Sequence, residues 1–356
     1  MKVPMHVFLK GLATAVPAYE LPQNLVLENA RRILGPRYAQ FERMAGTFQT
    51  SGVEKRYSFA PFDWFEEPKN WPERNSLFLK GAKELFTEAA TAALEDAGLS
   101  ASQIDAIVTI SSTGIATPTI EALAWKDMGF RTDVRRIPVF GLGCAGGVSG
   151  LAIAQAQAAA QPGSHVLMVA LEACTLSFRS DRLQKADIIA TVLFGDGAAA
   201  CVLSTEPGEA RGTSVMLGTG QEELWPDTLS IMGWDVDEAG LGVVFDRSIP
   251  VFAETYFAEA CDKALVRSGL AREDIVRFVC HPGGAKVVEA IETALDLEAG
   301  SLDAERSVLR DYGNMSAPTA LFVLKRILEA KGEGQMMMCA LGPGFTASFL
   351  PLTVER

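Results

Sequence analysis

The sequence predicts a layered α/β fold built from two similar halves, and three observations support this prediction. Strand-like apolar runs alternate with helix-like amphipathic runs along most of the 356 residues. Residues 86–114 and 256–284 share one pattern, in which an apolar-periodic helix ends in Gly-Leu and a polar linker then leads into an apolar strand. No Pro- or Ser-rich linker divides the chain, although the composition turns to Gly, Pro and acidic residues after residue 205. We therefore expect halves over residues 1–208 and 209–356 that pack as one unit.

The individual elements follow from periodicity and from turn residues. Alternating apolar residues near the N-terminus predict a strand rather than a signal peptide. Residues 83–100 predict a helix that stops at Gly98, and residues 104–113 predict the buried strand after it. A second apolar strand is predicted over residues 165–173. Residues 190–204 predict a strand, a tight turn and another strand.

The composition narrows the classes of function. The formal charge is −12 and the acidic residues are spread along the chain, which argues against nucleic acid or an anionic membrane as a partner. The six cysteines lie far apart and the chain has only three histidines, so we expect free thiols and no metal site. No apolar run is long enough for a spanning helix. These features predict a soluble, cytoplasmic protein.

Three chemically active residues occupy the same kind of position. Cys144 follows a strand-like run and precedes a helix of small residues, His281 follows a strand and precedes a helix, and Asn314 lies just ahead of an apolar helix. Ligands of α/β sheets gather at such strand ends, so the three side chains have a route to one pocket. A helix N-terminus and a nearby imidazolium would both favour a thiolate at Cys144. His281 can pair with that thiolate or donate to a carbonyl, and Asn314 can donate through its amide. The trio suits thioester chemistry in which negative charge on oxygen is stabilised.

Each of the three residues also has an ordinary structural explanation. Most free cysteines are packed core thiols, which would make Cys144 inert. A loop histidine such as His281 is commonly a structural residue, and a Gly-Asn pair such as the one at Asn314 commonly marks a turn. Only their shared setting favours a catalytic site.

Five short motifs resemble those of the type III polyketide synthases, the chalcone synthase-like superfamily with the thiolase fold. The resemblance extends from about residue 8 to the C-terminus, and it implies a five-layer αβαβα architecture made of duplicated halves. The motifs are GCAGG at 143–147, LFGDGAAA at 193–200, HPGG at 281–284, YGNMS at 312–316 and GPG at 342–344.

The resemblance implies a role for each residue of the trio. Cys144 would take an acyl group from coenzyme A and hold the growing chain. His281 and Asn314 would bind the malonyl thioester carbonyl, so that loss of CO2 leaves a stabilised enolate. No cofactor is implied beyond the coenzyme A thioester substrates. The family is homodimeric, and Thr117 matches a position that reaches into the partner's cavity.

The resemblance also assigns residues to substrate and coenzyme A. Arg43 matches one basic coenzyme A position, whereas Gln40 and Thr47 stand near the other two, so Lys55 or Lys286 is expected to compensate. Residues implied to border coenzyme A are Arg43, Lys55, Gly283, Gly284 and Lys286. Residues implied to line the substrate cavity are Ser112, Thr117, Cys174, Ser177, Phe194, Gly233, Val243, Ser316 and Leu341. Phe194 matches the aromatic residue between the coenzyme A tunnel and the reaction cavity.

Small aliphatic residues at several of these positions predict apolar space for a fatty chain. The sequence is therefore similar to the bacterial enzymes that extend a medium- or long-chain acyl-CoA to an alkylpyrone or alkylresorcinol. Alternatives are a short or aromatic starter and a single condensation by a ketoacyl synthase III that uses an acyl carrier protein. A papain-like peptidase also orders Cys, His and Asn along the chain, but this chain has no motif like the CGSCW that surrounds the cysteine of those peptidases. A binding protein without catalytic activity is a further alternative.

Overall fold

The fold is known from a computed structural model that describes residues 6–210 and 212–356. The strands in this part of the chain are β1 (Val7–Ala15), β2 (Tyr19–Pro22), β3 (Lys55–Ser58), β4 (Ala106–Ile110), β5 (Arg135–Val139), β6 (His165–Ala173), β7 (Asp196–Ser204), β8 (Ser214–Leu217), β9 (Gln221–Leu224), β10 (Met232–Asp237), β11 (Gly240–Phe245), β12 (Arg277–Cys280), β13 (Gly334–Gly342) and β14 (Thr346–Glu355). The α-helices there are α1 (Gln23–Leu34), α2 (Phe41–Thr50), α3 (Trp71–Ala97), α4 (Ile120–Met128), α5 (Gly146–Ala160), α6 (Lys185–Leu193), α7 (Ile249–Arg267), α8 (Ala285–Ala294), α9 (Asp303–Tyr312) and α10 (Thr319–Glu329).

The helix α3 shows how local sequence sets the ends of an element. Its N-terminus has a capping box, in which the Asn70 side chain accepts from Glu73 N and the Glu73 carboxylate accepts from Asn70 N, each at 2.9 Å. Its C-terminus is closed by Gly98 at φ +65°, as the sequence predicts. The predicted helix is therefore confirmed at its end, and it starts earlier than predicted, at Trp71.

The two halves repeat one sheet topology. In the first half, β1 pairs antiparallel with β7, β7 antiparallel with β6, and β6 parallel with β4. In the second half, β8, β14, β13 and β12 follow one another with the same sequence of orientations. The edge strands β1 and β8 pair with each other through Val7–Leu217, Phe8–Met216 and Leu9–Val215. Each half therefore contributes one set of strands, and hydrogen bonds between β1 and β8 join the two sets.

Three hydrophobic clusters separate the five layers. The helices α3 and α4 cover one face of the first half, and α7 and α8 cover one face of the second. Between the halves lie α5 and α10, which pack against strands of both. Alternation along β13 shows the division, because Met336 and Met338 face the middle layer whereas Met337 and Cys339 face α7 and α8. The predicted αβαβα architecture is confirmed.

One predicted element is wrong. Residues 190–193 end the helix α6 and do not form a strand, although β7 follows as predicted. The Gln184 backbone N–H donates to the Asp187 carboxylate at 3.0 Å, which supports the first turn of this helix. A short apolar run fits a strand and a buried helix equally well, so periodicity could not distinguish them. Within the described residues, no helix is both long enough and apolar enough to cross a bilayer.

Candidate active site

The nucleophile candidate Cys144 lies in a tight turn between β5 and α5. A 3₁₀ turn over Gly143–Ala145 carries it, and its side chain is buried. Gly143 has φ +48°, a conformation that favours glycine, so the turn depends on the residue just before the cysteine. A Cβ at Gly147 would lie 2.2 Å from the Ala317 carbonyl oxygen. This close approach brings the start of α5 against the loop that carries Asn314.

The His281 imidazole has both ring nitrogens free for a ligand. The residue directly follows β12, and its backbone N–H donates to the Cys339 carbonyl at 2.8 Å. The side chain is buried, and neither ring nitrogen has a hydrogen-bond partner among the described residues. Burial lowers the pKa of His281 to about 3, which favours the neutral ring. A neutral imidazole still carries one N–H that could donate to an incoming carbonyl.

The Asn314 side chain is held in a fixed orientation next to Cys144. Its Oδ1 accepts from the Ser316 backbone N–H at 2.8 Å, and its Nδ2 donates to the Gly283 carbonyl at 3.2 Å. The Cys144 Sγ lies 4.0 Å from the same Oδ1. An amide nitrogen carries two N–H groups, so one donor remains beyond the bond to Gly283.

The structure brings the three predicted residues into one cavity, which we call the Cys144 cavity. Its volume is about 360 Å³. Gly283, Gly284, Lys286 and Leu341, also singled out from the sequence, lie in its wall. Residues that complete the wall include Thr47, Thr50, Ser51, Lys185, Ile189, Leu193, Met232, Phe245, Asp246, Arg247 and Pro250.

The surroundings of Cys144 and His281 favour the neutral forms of both side chains. Burial raises the pKa of the Cys144 thiol to about 11, and hydrogen bonding with Ser316 and Asn314 opposes this rise. Among the described residues, neither ring nitrogen of His281 has a hydrogen-bond partner, so the structure does not show the thiolate–imidazolium pair considered from the sequence. The second possibility, donation from His281 to a carbonyl, fits this geometry.

A second cavity, which we call the Phe194 cavity, has a wall residue in contact with the wall of the first. It has a volume of about 70 Å³, and Phe194, Cys174, Ser177 and Val243 all lie in its wall, as the resemblance implied for a substrate cavity. Further lining residues are Leu21, Val26, Asn29, Ala30, Ile33, Arg56, Phe62, Phe65, Thr175, Phe178, Arg179, Asp187, Ala190 and Thr191. The wall is therefore mostly apolar.

An aromatic contact separates the two cavities. The rings of Phe194 and Phe245 meet edge to face with centroids 5.5 Å apart, and Phe245 belongs to the wall of the Cys144 cavity. The Trp234 ring packs against Phe194 at 6.2 Å, and its Nε1 donates to the Ser112 carbonyl at 2.8 Å. These rings therefore lie where the walls of the two cavities meet.

Four residues assigned to the substrate from the resemblance lie outside both walls. The Ser112 hydroxyl accepts from the backbone N–H groups of Gly141 and Gly143 at 3.1 and 3.2 Å, so it supports the cysteine turn. Ser316 is buried beside Cys144, where its backbone orients Asn314. Thr117 is exposed on the loop before α4. A Cβ at Gly233 would meet no atom within 4 Å, so a larger residue there would enter open space.

The basic residues at the Cys144 cavity differ in part from those expected for coenzyme A. Lys286 lies in the wall as expected, but Arg43 and Lys55 do not. Lys55 instead forms an ion pair with Glu20 at 2.7 Å, across the β2–β3 pair. The structure adds Lys185 and Arg247, which sequence reasoning missed. Both are exposed cations near the ends of elements, and no sequence signal distinguishes them from ordinary surface residues.

Taken together, the duplicated five-layer fold and a buried cysteine at the start of a middle-layer helix define an acyltransferase of the thiolase-like class. Comparison of the sequence with domain profiles of known families assigns the chain to a particular family within this class. The N-terminal and C-terminal domain profiles of the chalcone and stilbene synthases match residues 12–207 and 216–355. The protein belongs to this family and is a type III polyketide synthase.

Relatives and solved structures agree with this assignment. The 1,3,6,8-tetrahydroxynaphthalene synthase of Streptomyces peucetius subsp. caesius is 33% identical over 344 residues, covering 95% of this chain and 91% of that protein. Type III polyketide synthase A of Arabidopsis thaliana is 29% identical, covering 95% and 90%. The crystal structure of tetrahydroxynaphthalene synthase from Streptomyces coelicolor aligns with a TM-score of 0.92 at 27% identity, covering 98% of this chain and 99% of that one.

Proposed function

We propose that this synthase extends a fatty acyl-CoA starter with malonyl-CoA and cyclises the product to an alkylpyrone or alkylresorcinol. One observation carries the proposal: Phe194 in the wall of a mostly apolar cavity contacts Phe245 in the wall of the cavity that holds Cys144, His281 and Asn314. An acyl chain attached to Cys144 would bury its tail in the apolar cavity.

The proposed reaction uses the three residues in turn. The Cys144 sulfur attacks the starter thioester, which forms an acyl–cysteine thioester and releases coenzyme A as a thiol. Malonyl-CoA then binds with its thioester oxygen between the His281 and Asn314 donors, and its carboxylate leaves as CO2. The enolate carbon attacks the acyl carbonyl at Cys144 and expels the sulfur. Donors fixed before the reaction stabilise the oxyanion more than the ground state, which lowers the barrier. The scheme requires no cofactor.

The wall of the Phe194 cavity supports a starter with an aliphatic tail. Each Å² of apolar surface that a chain buries contributes roughly 25 cal/mol, so added methylenes strengthen binding while the cavity has room. The space is small, about 70 Å³ as against about 360 Å³ for the Cys144 cavity. These volumes favour a medium-length chain over the longest ones.

Three basic residues support a site for the phosphates of coenzyme A. Lys185, Arg247 and Lys286 lie in the wall of the Cys144 cavity and are exposed to solvent. The chain as a whole carries a charge of −12, so an anionic thioester needs such a local concentration of cations. An arginine such as Arg247 can bind phosphate through two N–H groups. One acidic residue, Asp246, lies in the same wall.

The proposal includes a homodimer, for which the exposed surface offers support. Among the described strands, β5 is the outer strand of the first half and pairs only with β4, so its other edge can pair with a further strand. Phe140 next to it is 60% exposed and Ile115 is 56% exposed. A symmetric pairing along β5 would cover both and would bring the loop of Thr117 towards the partner. Sedimentation equilibrium tests this: a monomer at micromolar concentration would contradict it.

The experiment for the reaction supplies malonyl-CoA and a series of saturated acyl-CoA starters from acetyl to stearoyl, with products identified by mass. Cys144→Ala serves as the blank. We expect pyrones or resorcinols with a maximum at medium chain length. Val243→Phe, which fills the Phe194 cavity, should shift that maximum to shorter chains. Gly233→Trp fills the open space beside Gly233, and an unchanged chain-length preference would show that this space does not hold the acyl chain.

Each other result would overturn part of the proposal. Products from short or aromatic starters alone would leave a type III synthase without a fatty starter. A product from malonyl-CoA alone, with no starter incorporated, would have the same consequence. A single condensation that requires malonyl carrier protein would favour ketoacyl synthase chemistry.

A further inference from the structure

A buried arginine on β3 joins the loops that carry Phe194 and Asn314. Arg56 is 2% exposed. Its Nη1 donates to the carbonyl oxygens of Thr191 at 2.6 Å and Phe194 at 3.0 Å, and its Nη2 donates to that of Val192 at 2.6 Å. These carbonyls belong to the end of α6 and the residue after it, where helical hydrogen bonds run out. A cation at the C-terminal end of a helix also matches the helix dipole.

The aliphatic part of Arg56 fits between two glycines. A Cβ at Gly195 would lie 3.1 Å from the Arg56 Cβ, and one at Gly313 would lie 3.4 Å from it. Gly195 directly follows Phe194, and Gly313 directly precedes Asn314. The side chain therefore packs against both loops while its guanidinium binds the first of them.

The two loops also bind each other. The Asn314 backbone N–H donates to the Leu193 carbonyl at 2.8 Å, and the Gly195 N–H donates to the Asn314 carbonyl at 3.0 Å. Gln23 supports the guanidinium from the other side, since its Oε1 accepts from Arg56 Nη2 and its Nε2 donates to Val192 O at 3.1 Å. Hydrogen bonds thus connect Arg56 to the loop of Asn314 through the loop of Phe194.

We propose that Arg56 is a positioning residue, which holds the Asn314 amide at its place beside Cys144 and fixes the Phe194 ring between the two cavities. The catalytic part of this inference rests on the proposed function of Asn314. Burial lowers the pKa of Arg56 to about 9, so the guanidinium stays charged at neutral pH and keeps its donors.

Arg74 offers a matched control. It is also buried, at 5% exposed, and its Nη1 donates to the carbonyl oxygens of Leu176 at 2.6 Å and Phe178 at 2.7 Å. Its Nε also donates to the Lys69 carbonyl at 3.1 Å, and none of these three acceptors lies in the loops of Phe194 and Asn314. Arg74→Met and Arg56→Met remove the same donors from comparable environments, so a general loss of stability should affect both.

The test uses two readouts that need no acyl starter, because Arg56 also lies in the wall of the Phe194 cavity. The first is decarboxylation of malonyl-CoA, and the second is the rate at which iodoacetamide labels Cys144, followed by peptide mass. Arg56→Met should lower kcat for decarboxylation about tenfold or more with KM within about twofold, since small displacements of catalytic groups are costly. Arg56→Met should also change the rate at which Cys144 is labelled. Arg56→Lys should recover part of kcat and part of the labelling rate. Arg74→Met should leave kcat and the labelling rate near the wild-type values.

Equal losses in Arg56→Met and Arg74→Met would overturn the proposal, as would unchanged kcat and labelling in Arg56→Met. If Arg56→Met fails to fold, Arg56→Lys and Gln23→Leu are compared with Arg74→Met by the same readouts. If the wild type does not decarboxylate malonyl-CoA, the proposed function fails, and the labelling rate still decides whether Arg56 positions the Cys144 surroundings.

Discussion

Asn314 and Phe194 lie side by side in a short parallel β-bridge, although they come from different halves of the molecule. One residue places an amide beside Cys144, and the other places a ring at the boundary between the two cavities. The Asn314 backbone bonds to both neighbours of Phe194, through its N–H to the Leu193 carbonyl and through its carbonyl to the Gly195 N–H. The amide proposed as an oxyanion donor and the ring at the cavity boundary therefore belong to one structural unit.

The Asn314 side chain should matter through its N–H donor. Asn314→Ala should lower malonyl-CoA decarboxylation by roughly 10²- to 10³-fold, the usual cost of removing one oxyanion donor. Asn314→Asp keeps an oxygen that can accept from Ser316 N–H and loses the amide donors, so it should be equally impaired. Release of labelled CO2 measures both, and near-normal activity of Asn314→Asp would disprove the donor role.

Lys185 and Arg247 in the wall of the Cys144 cavity should control the affinity for malonyl-CoA. Arg247→Ala or Lys185→Ala should each raise KM about five- to thirtyfold, because a hydrogen bond to a charged phosphate contributes about 1–2 kcal/mol or more. The effect should shrink at high salt. Lys55→Gln is the control, since Lys55 pairs with Glu20 outside the cavity and its loss should leave KM unchanged. Steady-state kinetics at two salt concentrations provide the measurement.

Gly143 should tolerate no side chain. A Cβ there would lie 2.6 Å from Pro343 Cγ, and its φ of +48° adds conformational strain. Gly98→Ala introduces a similar φ problem, at +65°, where no atom lies within 4 Å. Gly98→Ala should cost about 1–2 kcal/mol in the free energy of unfolding, and Gly143→Ala about 1–3 kcal/mol more from overpacking.

Denaturant unfolding compares the two glycine variants. Gly143→Ala should also lose activity, because the turn positions the cysteine, whereas Gly98→Ala should keep it. Equal stability of the two variants would show that Pro343 moves away without cost.

Glu172 should make stability depend on pH. The side chain is fully buried, its Oε2 accepts from Ser112 N at 2.9 Å and Thr113 Oγ1 at 2.7 Å, and burial raises its pKa to about 8. An acid whose folded-state pKa is raised holds its proton more tightly when folded, so its contribution to stability is lost as pH rises from about 4.5 to 8. Glu172→Gln should remove this loss and gain stability relative to wild type, by the order of a few kcal/mol between pH 5 and 8.

Glu292 provides the opposite case. Hydrogen bonds from Arg306 hold the pKa of Glu292 at about 2. Its titration in the folded and unfolded states therefore ends near or below pH 5, and Glu292→Gln should shift stability equally at pH 5 and 8. Chemical denaturation at the two pH values measures both variants. A Glu172→Gln difference that does not change with pH would contradict the prediction.

The sequence predicted what depends on local pattern. Gly98 marks the end of α3, and the repeated helix–glycine–strand unit corresponds to the repeated sheet topology, because both follow from periodicity and turn chemistry. Cys144, His281 and Asn314 were placed in one pocket because each follows the end of an element in a layered fold. The strand predicted at residues 190–193 failed because a four-residue apolar run fits two structures.

Contacts between distant segments were beyond the sequence. The carbonyl oxygens of Thr191 and Val192 can accept from Arg56 because α6 ends at Leu193 and leaves them without helical partners. The sequence between Arg56 and these residues gives no sign of the contact. Lys185 and Arg247 approach the Cys144 cavity from two elements whose packing the pattern does not define. Lys55 was expected at coenzyme A, but cross-strand pairing of β2 and β3 directs it to Glu20.

The pairing of β1 with β8 has a consequence for how the chain reaches its native state. Each half, taken alone, would end in a bare strand edge, which is the surface that recruits unwanted neighbours during synthesis. Because Val7, Phe8 and Leu9 pair with Leu217, Met216 and Val215 respectively, the half made second covers the edge left by the half made first. If the chain were cleaved between the halves, each fragment would expose the strand edge that the other covers, so we expect the two fragments to reassociate.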